Sequence, residues 1–457
     1  MRTYAEERGL RVLWLVRTAA QVRHVAEETG ALPVYGRRLL CLHEVIRQVD
    51  SRRFNAACRA TRYARRCPYW PGRPGAVGHP MGVAELKEHG RRLVTCPYEI
   101  AVASMPSSKA LIATHKQLPL LGWLFAKWRT SRENVVLVLD EAQNVVRDAL
   151  SMVRDSIGLG TLRRAASEAS RYGFSETAGQ LRDAFEKYSS ESATETIVED
   201  LLPPITDLLA AGEEVQEMKL RQNLAPASHL LSLADFKAAL AGRKPLLVRE
   251  GESVRLEALA DPAEELLRIY EGWAAVVGMS ATMPAELVER LTGREATLLR
   301  AGWPFNDDAL KVVIVRGLTT KYERRDEKLL SDISWVVDVL KGSGKKSLIF
   351  LPAFELIPEA GDGVLRESQG MSQEEIDRIA ADFDESPSRV LIAVFNGRLS
   401  EGVDLSAEVV ALVGIPFSPP TPKNQMLLRR LSEILGSEDA KLHGLVLPAL
   451  YSAVQRP

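Results

Sequence analysis

Several things are scarce in this sequence, and each scarcity excludes something. Cysteine occurs 4 times in 457 residues, too seldom for a disulfide-stapled secreted scaffold. No apolar run approaches the roughly 18 residues that a membrane span needs. The amino-terminal stretch MRTYAEERGLRVLWLVRTAA is broken by charges and lacks the apolar centre of a secretory leader. No membrane partner is therefore expected, and an intracellular location is the default. An excess of one charge is missing too: 59 Lys and Arg against 60 Asp and Glu leave a net charge of -1, so overall charge says nothing about nucleic acid. The phosphate-binding pattern GxxxxGK[ST] occurs nowhere. KGSGKKS, residues 341–347, lacks the first glycine, has Lys346 where Ser or Thr belongs, and precedes a strand pattern where a phosphate loop would follow one.

What is present points to a globular chain of about three domains, 46% of it hydrophobic. Short continuous apolar runs suit the buried strands of parallel sheets. They lie at 11–16 (RVLWLV), 135–139 (VVLVL), 274–278, 311–315 (KVVIV), 347–351, 389–394 and 409–415. Helical patterns separate them, as at 21–29, 260–270 and 327–341. Strands alternating with helices predict an α/β fold of doubly wound parallel sheets. Two stretches break the rhythm and read as insertions into the first α/β domain. One is 37–97, rich in arginine and holding every cysteine. The other is 147–258, helical in pattern and rich in Ala, Glu and Leu. The first domain then comprises 1–36, 98–146 and 259–301, and the second 302–457.

Four short motifs follow predicted strands. In VVLVLDEAQN (135–144), a buried strand delivers Asp140 and Glu141 to the edge where open α/β sheets bind ligands. Asp140 could hold Mg²⁺ through water, Glu141 could position or deprotonate an attacking water, and Gln143 could sense a γ-phosphate. A strand ending in an acidic helix cap has the same letters. Ser280 and Thr282 of GMSATM (278–283) could couple that acidic motif to a bound polynucleotide, or form a plain turn. In FNGRLSEGVDL (395–405), Gly397 and Gly402 permit close backbone approach, and Glu401 and Asp404 sit where a ribose or coupling contact would be. In LVRTAAQ (15–21), Arg17, Thr18 and Gln21 could touch a nucleic-acid backbone, or Thr18 could simply cap a helix. Together, RTxxQ, DEAQ, SAT and SEGVD in this order, each behind a strand, are hard to obtain by chance.

The cysteines, Cys41, Cys58, Cys67 and Cys96, are spaced by 17, 9 and 29 residues. Paired CxxC zinc knuckles do not fit that spacing, and a metal or cluster site suits it better than disulfides. Residues 37–92 carry twelve Arg and one Lys against four acidic residues, interleaved with Phe54, Tyr63, Tyr69 and Trp70. Arginines for phosphates and aromatics for stacking, with Arg59, Arg62 and Tyr63 as candidate contacts, suit single-stranded DNA. A solvated charged face is the plainer alternative.

The ordered motifs resemble those of superfamily 2 helicases, and among them the XPD family, with the related DinG helicases next. CPYE (96–99) is similar to that family's fourth cluster-ligand motif, LTTKYERR (318–325) to the start of its second motor domain, and SLIFLPAFE (347–355) to its motif IV. VGIPFSPPTP (413–422) and PALYSAVQR (448–456) are similar to its approach to motif VI. The resemblance spans essentially the whole chain. It implies two RecA-like motor domains, with an iron–sulfur insertion at 37–97 acting as a wedge and a helical arch at 147–258. It implies a [4Fe–4S] cluster on the four cysteines, Mg²⁺ with ATP as cofactors, and ATP bound between the motor domains. The expected activity is ATP-dependent DNA unwinding, 5′→3′, in repair. Single-stranded and forked DNA, ATP and repair-complex proteins are the implied partners, in the nucleoid-associated cytoplasm of a prokaryote or a eukaryotic nucleus. Gln143 departs from the family's usual His. The family's phosphate loop and motif VI arginines are absent from these residues, so truncation at both ends and impaired ATP hydrolysis are expected. The alternatives are a non-hydrolysing iron–sulfur nucleic-acid-binding module and a DinG-like helicase.

Overall fold

The computed structural model describes residues 2–447 apart from 71, 73, 281, 303–305, 307–308, 360, 362, 387–388, 396, 400–404 and 416–419. The chain divides into two compact units, Met1–Met283 and Pro284–Pro457. The division falls earlier than the boundary expected after residue 301, and the helix Ala285–Thr292 belongs to the second unit. There Arg290 Nη1 bonds Asp439 Oδ2 at 2.8 Å and Arg290 Nη2 bonds the Leu435 carbonyl at 2.6 Å.

The first unit is built on a parallel five-stranded sheet in the order Leu32–Pro33, Ala110–Thr114, Arg11–Val16, Val135–Leu139, Ala275–Gly278. Every residue of Val135–Leu139 is buried. Side chains of a strand alternate between faces, and two cores result. Leu13, Leu15, Val135, Leu137 and Leu139 pack on one face, and Val12, Val16, Val136 and Val138 on the other. Covering both faces is why these runs lack the polar alternation of a half-exposed sheet. The second unit repeats the scheme with parallel strands in the order Val364–Arg366, Val390–Val394, Ser347–Leu351, Val409–Leu412.

Three expectations change. KVVIV at 311–315 forms no strand, and Val312 to Val315 are between 68% and 81% exposed. β-branched residues favour strands only where a pleated neighbour covers them, and this segment pairs with no strand among the described residues. Ala110–Thr114, unpredicted, lies inside the first sheet. The 147–258 segment does carry the helices Leu159–Arg171, Ser175–Ser190, Ile205–Arg221 and His229–Leu240. It also holds an antiparallel sheet in the order Val153–Gly158, Ser253–Leu259, Leu246–Glu250, Glu195–Ile197. Gly251, at φ 58°, opens the two-residue turn between Leu246–Glu250 and Ser253–Leu259, the conformation glycine adopts without a Cβ clash.

The cysteine-bearing helix Ser51–Tyr63 is bolted to this second insertion. Arg52 grips Asp155 with Nη1 and Nη2 at 3.0 and 2.6 Å, and Arg53 Nη1 meets His229 Nε2 at 3.0 Å. Ile46, Val49, Phe54, Ala57 and Cys58 bury a small core against Ala227.

Within the insertion, helices Ile205–Arg221 and His229–Leu240 approach closely at Gly212. A Cβ there would stand 2.7 Å from Leu231 Cδ2 and 3.1 Å from its backbone nitrogen. Gly212→Val is expected to destabilise the chain by roughly 1–3 kcal/mol, as overpacking generally does, seen as a lower melting temperature.

Candidate nucleotide site and cysteine pocket

The parallel register brings three of the four motifs to one sheet edge. Leu139 pairs with Leu15 on one side and with Gly278 on the other. The loops that follow these strands, which carry RTxxQ, DEAQ and SAT, therefore leave the sheet side by side. Backbone bonds tie them: Asp140 N donates to the Leu15 carbonyl (2.9 Å), Met279 N to Leu139 (2.8 Å) and Ala142 N to Met279 (3.0 Å).

Gln21 Nε2 donates to Asp140 Oδ2 at 3.2 Å. The same side chain closes the cap of helix Ala19–Thr29. Its Oε1 accepts from Thr18 N at 2.9 Å, while Thr18 Oγ1 accepts from Gln21 N at 3.3 Å. Thr18 is thus a helix cap, and Gln21 joins that cap to the acid. Arg17 stands half-buried just before it. Glu141 is held in the left-handed region at φ 51°, uncommon for a residue other than glycine and characteristic of strained functional turns. Gln143 Nε2 donates to Glu141 Oε2 at 2.6 Å. Thr282 N donates to Ser280 Oγ at 3.0 Å.

Burial, and then the neighbouring Glu141, push the Asp140 carboxyl above its ordinary value. A carboxyl held in part-dry surroundings beside a second acid ionises less readily than one in water, which favours a cation beside Asp140. His115, missed in the sequence, joins this edge from the end of Ala110–Thr114. Its Nε2 lies 3.2 Å from the Leu15 carbonyl, and burial holds its imidazole below the usual value. The apolar run ALIATH was the available signal.

In the second unit Gly402 and Asp404, with Glu401, lie outside the described residues. The start of their loop is clamped by Glu367, buried and likewise unforeseen, which accepts from Val394 N at 3.2 Å and Arg398 N at 2.7 Å. A Cβ on Gly397 would stand 2.4 Å from the Glu367 carboxylate.

The four cysteines converge on one pocket. Cys41 follows the helix Arg37–Leu40, Cys58 lies in Ser51–Tyr63, Cys67 in the turn after it, and Cys96 caps Pro97–Ser104. All four line one pocket, together with Arg37 and Arg62. Burial pushes the Cys41 thiol up to about 11, with Cys58, Cys96 and Cys67 adding to it. Burial also raises Cys67 and Cys96. Arg37 Nη1 and Arg62 Nη1 bond Glu99 Oε1 at 2.6 and 3.3 Å. Their guanidinium groups lie over Tyr98 and Trp70, at 3.8 and 4.8 Å from the ring centroids. Arg62 therefore faces the thiols, whereas Arg59 and Tyr63 are exposed. Among the described residues, no three His, Cys, Asp or Glu gather closely enough to hold a single metal ion. A cubane, in which each iron takes one thiolate, spreads its four ligands wider than one ion does. The donor set and its convergence on one pocket fit such a group.

Among the described residues, no helix is long and apolar enough to cross a membrane. The DEAD_2 family model matches residues 10–159, and the model described as a helicase C-terminal domain matches residues 336–454. The chain is 21% identical to the ATP-dependent DNA helicase CHL1 of Yarrowia lipolytica, an alignment covering 92% of the chain but 64% of that protein. It is 23% identical to the ATP-dependent DNA helicase XPD of Sulfolobus acidocaldarius, covering 82% of the chain and 70% of that protein. A solved XPD helicase structure superposes with a TM-score of 0.71 at 18% identity, over 97% of this chain and 84% of that one. The fold is thus the RecA-like α/β fold.

Because the Asp140 carboxyl titrates above the 3.8 of a free aspartate, its ionised form opposes folding at neutral pH. Asp140→Asn is expected to raise the melting temperature at pH 7. The gain should shrink as pH falls through the folded value and vanish below 3.8, where both states are protonated. A melting series across that range checks the sign.

Proposed function

Since this chain belongs to the XPD family of ATP-dependent DNA helicases within superfamily 2, we propose that it is the motor of an iron–sulfur DNA helicase that couples ATP hydrolysis to 5′→3′ movement along single-stranded DNA, in repair. The observation that carries this reading is the hydrogen bond from Gln21 to Asp140. It joins the RTxxQ loop, suited to touching a polynucleotide backbone, to the acid suited to Mg²⁺.

Mg²⁺ with ATP supplies charge neutralisation at the phosphates. Asp140 would face that charge, which would favour its ionised form. Glu141, oriented by Gln143, is placed to take a proton from the attacking water. Ser280 and Thr282, on the loop bonded through Met279 to Leu139 and Ala142, relay the state of the acids. Gly402 and Asp404 would serve as coupling residues of the second unit, as the family resemblance implies. Arg17, Thr18 and Gln21 hold one stretch of the strand, and Arg59 and Tyr63 another. Forked DNA is the substrate, and the cysteine insertion is its wedge.

Cys41, Cys58, Cys67 and Cys96 would hold the [4Fe–4S] cluster. The cluster would supply positive charge beside the four cysteine sulfurs. Arg37 and Arg62 offset part of the remaining negative charge. Cys58 also shares a small core with Ala227, so its ligation would tie the site to the helix that meets the second insertion.

A second reading, a nucleic-acid binder that does not hydrolyse ATP, is favoured by one observation: these 457 residues contain no GxxxxGK[ST]. The polypeptide of these residues alone is accordingly expected to turn over ATP on the order of 10³-fold or more slowly than a complete motor, with or without single-stranded DNA. Robust DNA-stimulated turnover by it would contradict that expectation. For the cluster, anaerobically purified protein should be brown and contain iron and sulfide in equal amounts. Cys58→Ser should bleach it and lower its melting temperature. A colourless protein carrying zinc would remove the iron–sulfur assignment.

A further inference from the structure

The second insertion carries a groove that none of the motifs explains. Arg163, Ser167, Ser170 and Arg171 lie on one stripe of helix Leu159–Arg171, and Arg182 and Phe185 face them from helix Ser175–Ser190. Among the described residues, none of the three arginines takes part in an ion pair. Their charge is therefore available to a ligand. Arg163 and Arg171 are eight residues apart, about 12 Å along a helix, too far for one compact anion and well suited to successive phosphates of a chain.

The groove does not stand alone. Tyr172, which follows Arg171, donates from its hydroxyl to Gln222 Oε1 at 3.3 Å. The next residue, Asn223, accepts from Arg66 Nη1 at 2.8 Å. Arg66 in turn lines a cleft with Arg59 and Tyr63, between the cysteine-bearing helix and helix Ile205–Arg221. Glu213 and Glu217 also line that cleft, and Glu217 is paired with Arg221 at 2.5 Å. Tyr63 is 83% exposed.

We propose that the Arg163–Arg171–Arg182 groove is a second binding site for single-stranded nucleic acid, continuing the track that begins at Arg59, Tyr63 and Arg66. The proposal rests on the DNA reading above and extends it to a surface away from the DEAQ edge. The arginines hold the sugar–phosphate backbone, the Ser170 hydroxyl donates to a phosphate oxygen, and Phe185 offers a ring for a base; the Ser167 hydroxyl donates to the Arg163 carbonyl at 3.0 Å. Stacking surfaces beside the arginines favour a polynucleotide over an acidic peptide, which would use the charges alone.

The test uses the 457-residue chain and labelled oligothymidylates of about 10 and about 30 nucleotides, bracketing the usual site size of one single-strand-binding surface. The triple variant R163E/R171E/R182E should bind the longer strand at least about tenfold more weakly and leave the shorter one unchanged. The salt dependence for the longer strand should flatten by about 2 log units per log unit of salt, at roughly 0.7 per lost phosphate contact. R163A/R171A/R182A, which adds no repulsion, should show the same pattern with a smaller loss and an unchanged melting temperature. Unaltered binding of the longer strand, or equal losses on both lengths, overturns the groove. So does a variant that loses binding to polyglutamate and not to oligothymidylate. A wild-type chain that binds neither oligonucleotide overturns the DNA reading itself, and this proposal with it.

Discussion

Everything at the candidate nucleotide site depends on the register of one strand. Val135–Leu139 is buried along its whole length and pairs in parallel on both sides. Its register with Arg11–Val16 and Ala275–Gly278 decides which loops share an edge. A slip of one residue would turn each side chain to the opposite face, exchanging the Leu137 and Leu139 layer for the Val136 and Val138 layer. The two cores differ in what they can accept, because one packs against Trp128 and Phe125 and the other against Val22 and Ala26. Each buried Leu or Val contributes about 1.5–3 kcal/mol. The positions of Asp140, Gln21 and Ser280 are therefore held by the packing of residues that never touch a ligand.

That same constraint explains what could be read from the sequence. The long apolar runs announced the central strands because a strand covered on both faces needs no polar alternation. The chemistry was visible because the polar letters come immediately after those runs. Ala110–Thr114 escaped notice although it begins with an equally apolar run, since no recognised motif follows it. His115 and Glu367 escaped because a single His or Glu acquires meaning only from what surrounds it, here the Leu15 carbonyl and the amides of Val394 and Arg398. KVVIV misled for the opposite reason. Its letters are ideal for a strand, but a strand is a partnership, and composition does not name the partner.

The insertion at 37–97 shows the same limit in its charges. Twelve arginines looked like one basic surface, yet they divide by the partners that the fold sets beside each. Arg62, four residues after Cys58, turns toward the thiols and Glu99. Arg59 and Tyr63 turn outward. Arg52 and Arg53 are spent on Asp155 and His229, which couples this insertion to the next. Residue type gave the charge, and the neighbours supplied by the fold assigned each charge its task.

The cysteine pocket and the acid pair pose the same electrostatic problem. In each, groups of one potential charge are crowded into a part-dry space, and burial makes ionisation costly. Neither site gains stability from its own ionised side chains, so neither arrangement is explained by folding alone. Under the proposed function, positive charge would come from outside the polypeptide: iron at the thiols, Mg²⁺ at the carboxylates. The difference lies in permanence. The thiols line one pocket with Arg37, Arg62 and Trp70, which suits a resident group. The acids sit on an open sheet edge beside loops joined by single hydrogen bonds, which suits a cation that arrives and leaves with its nucleotide.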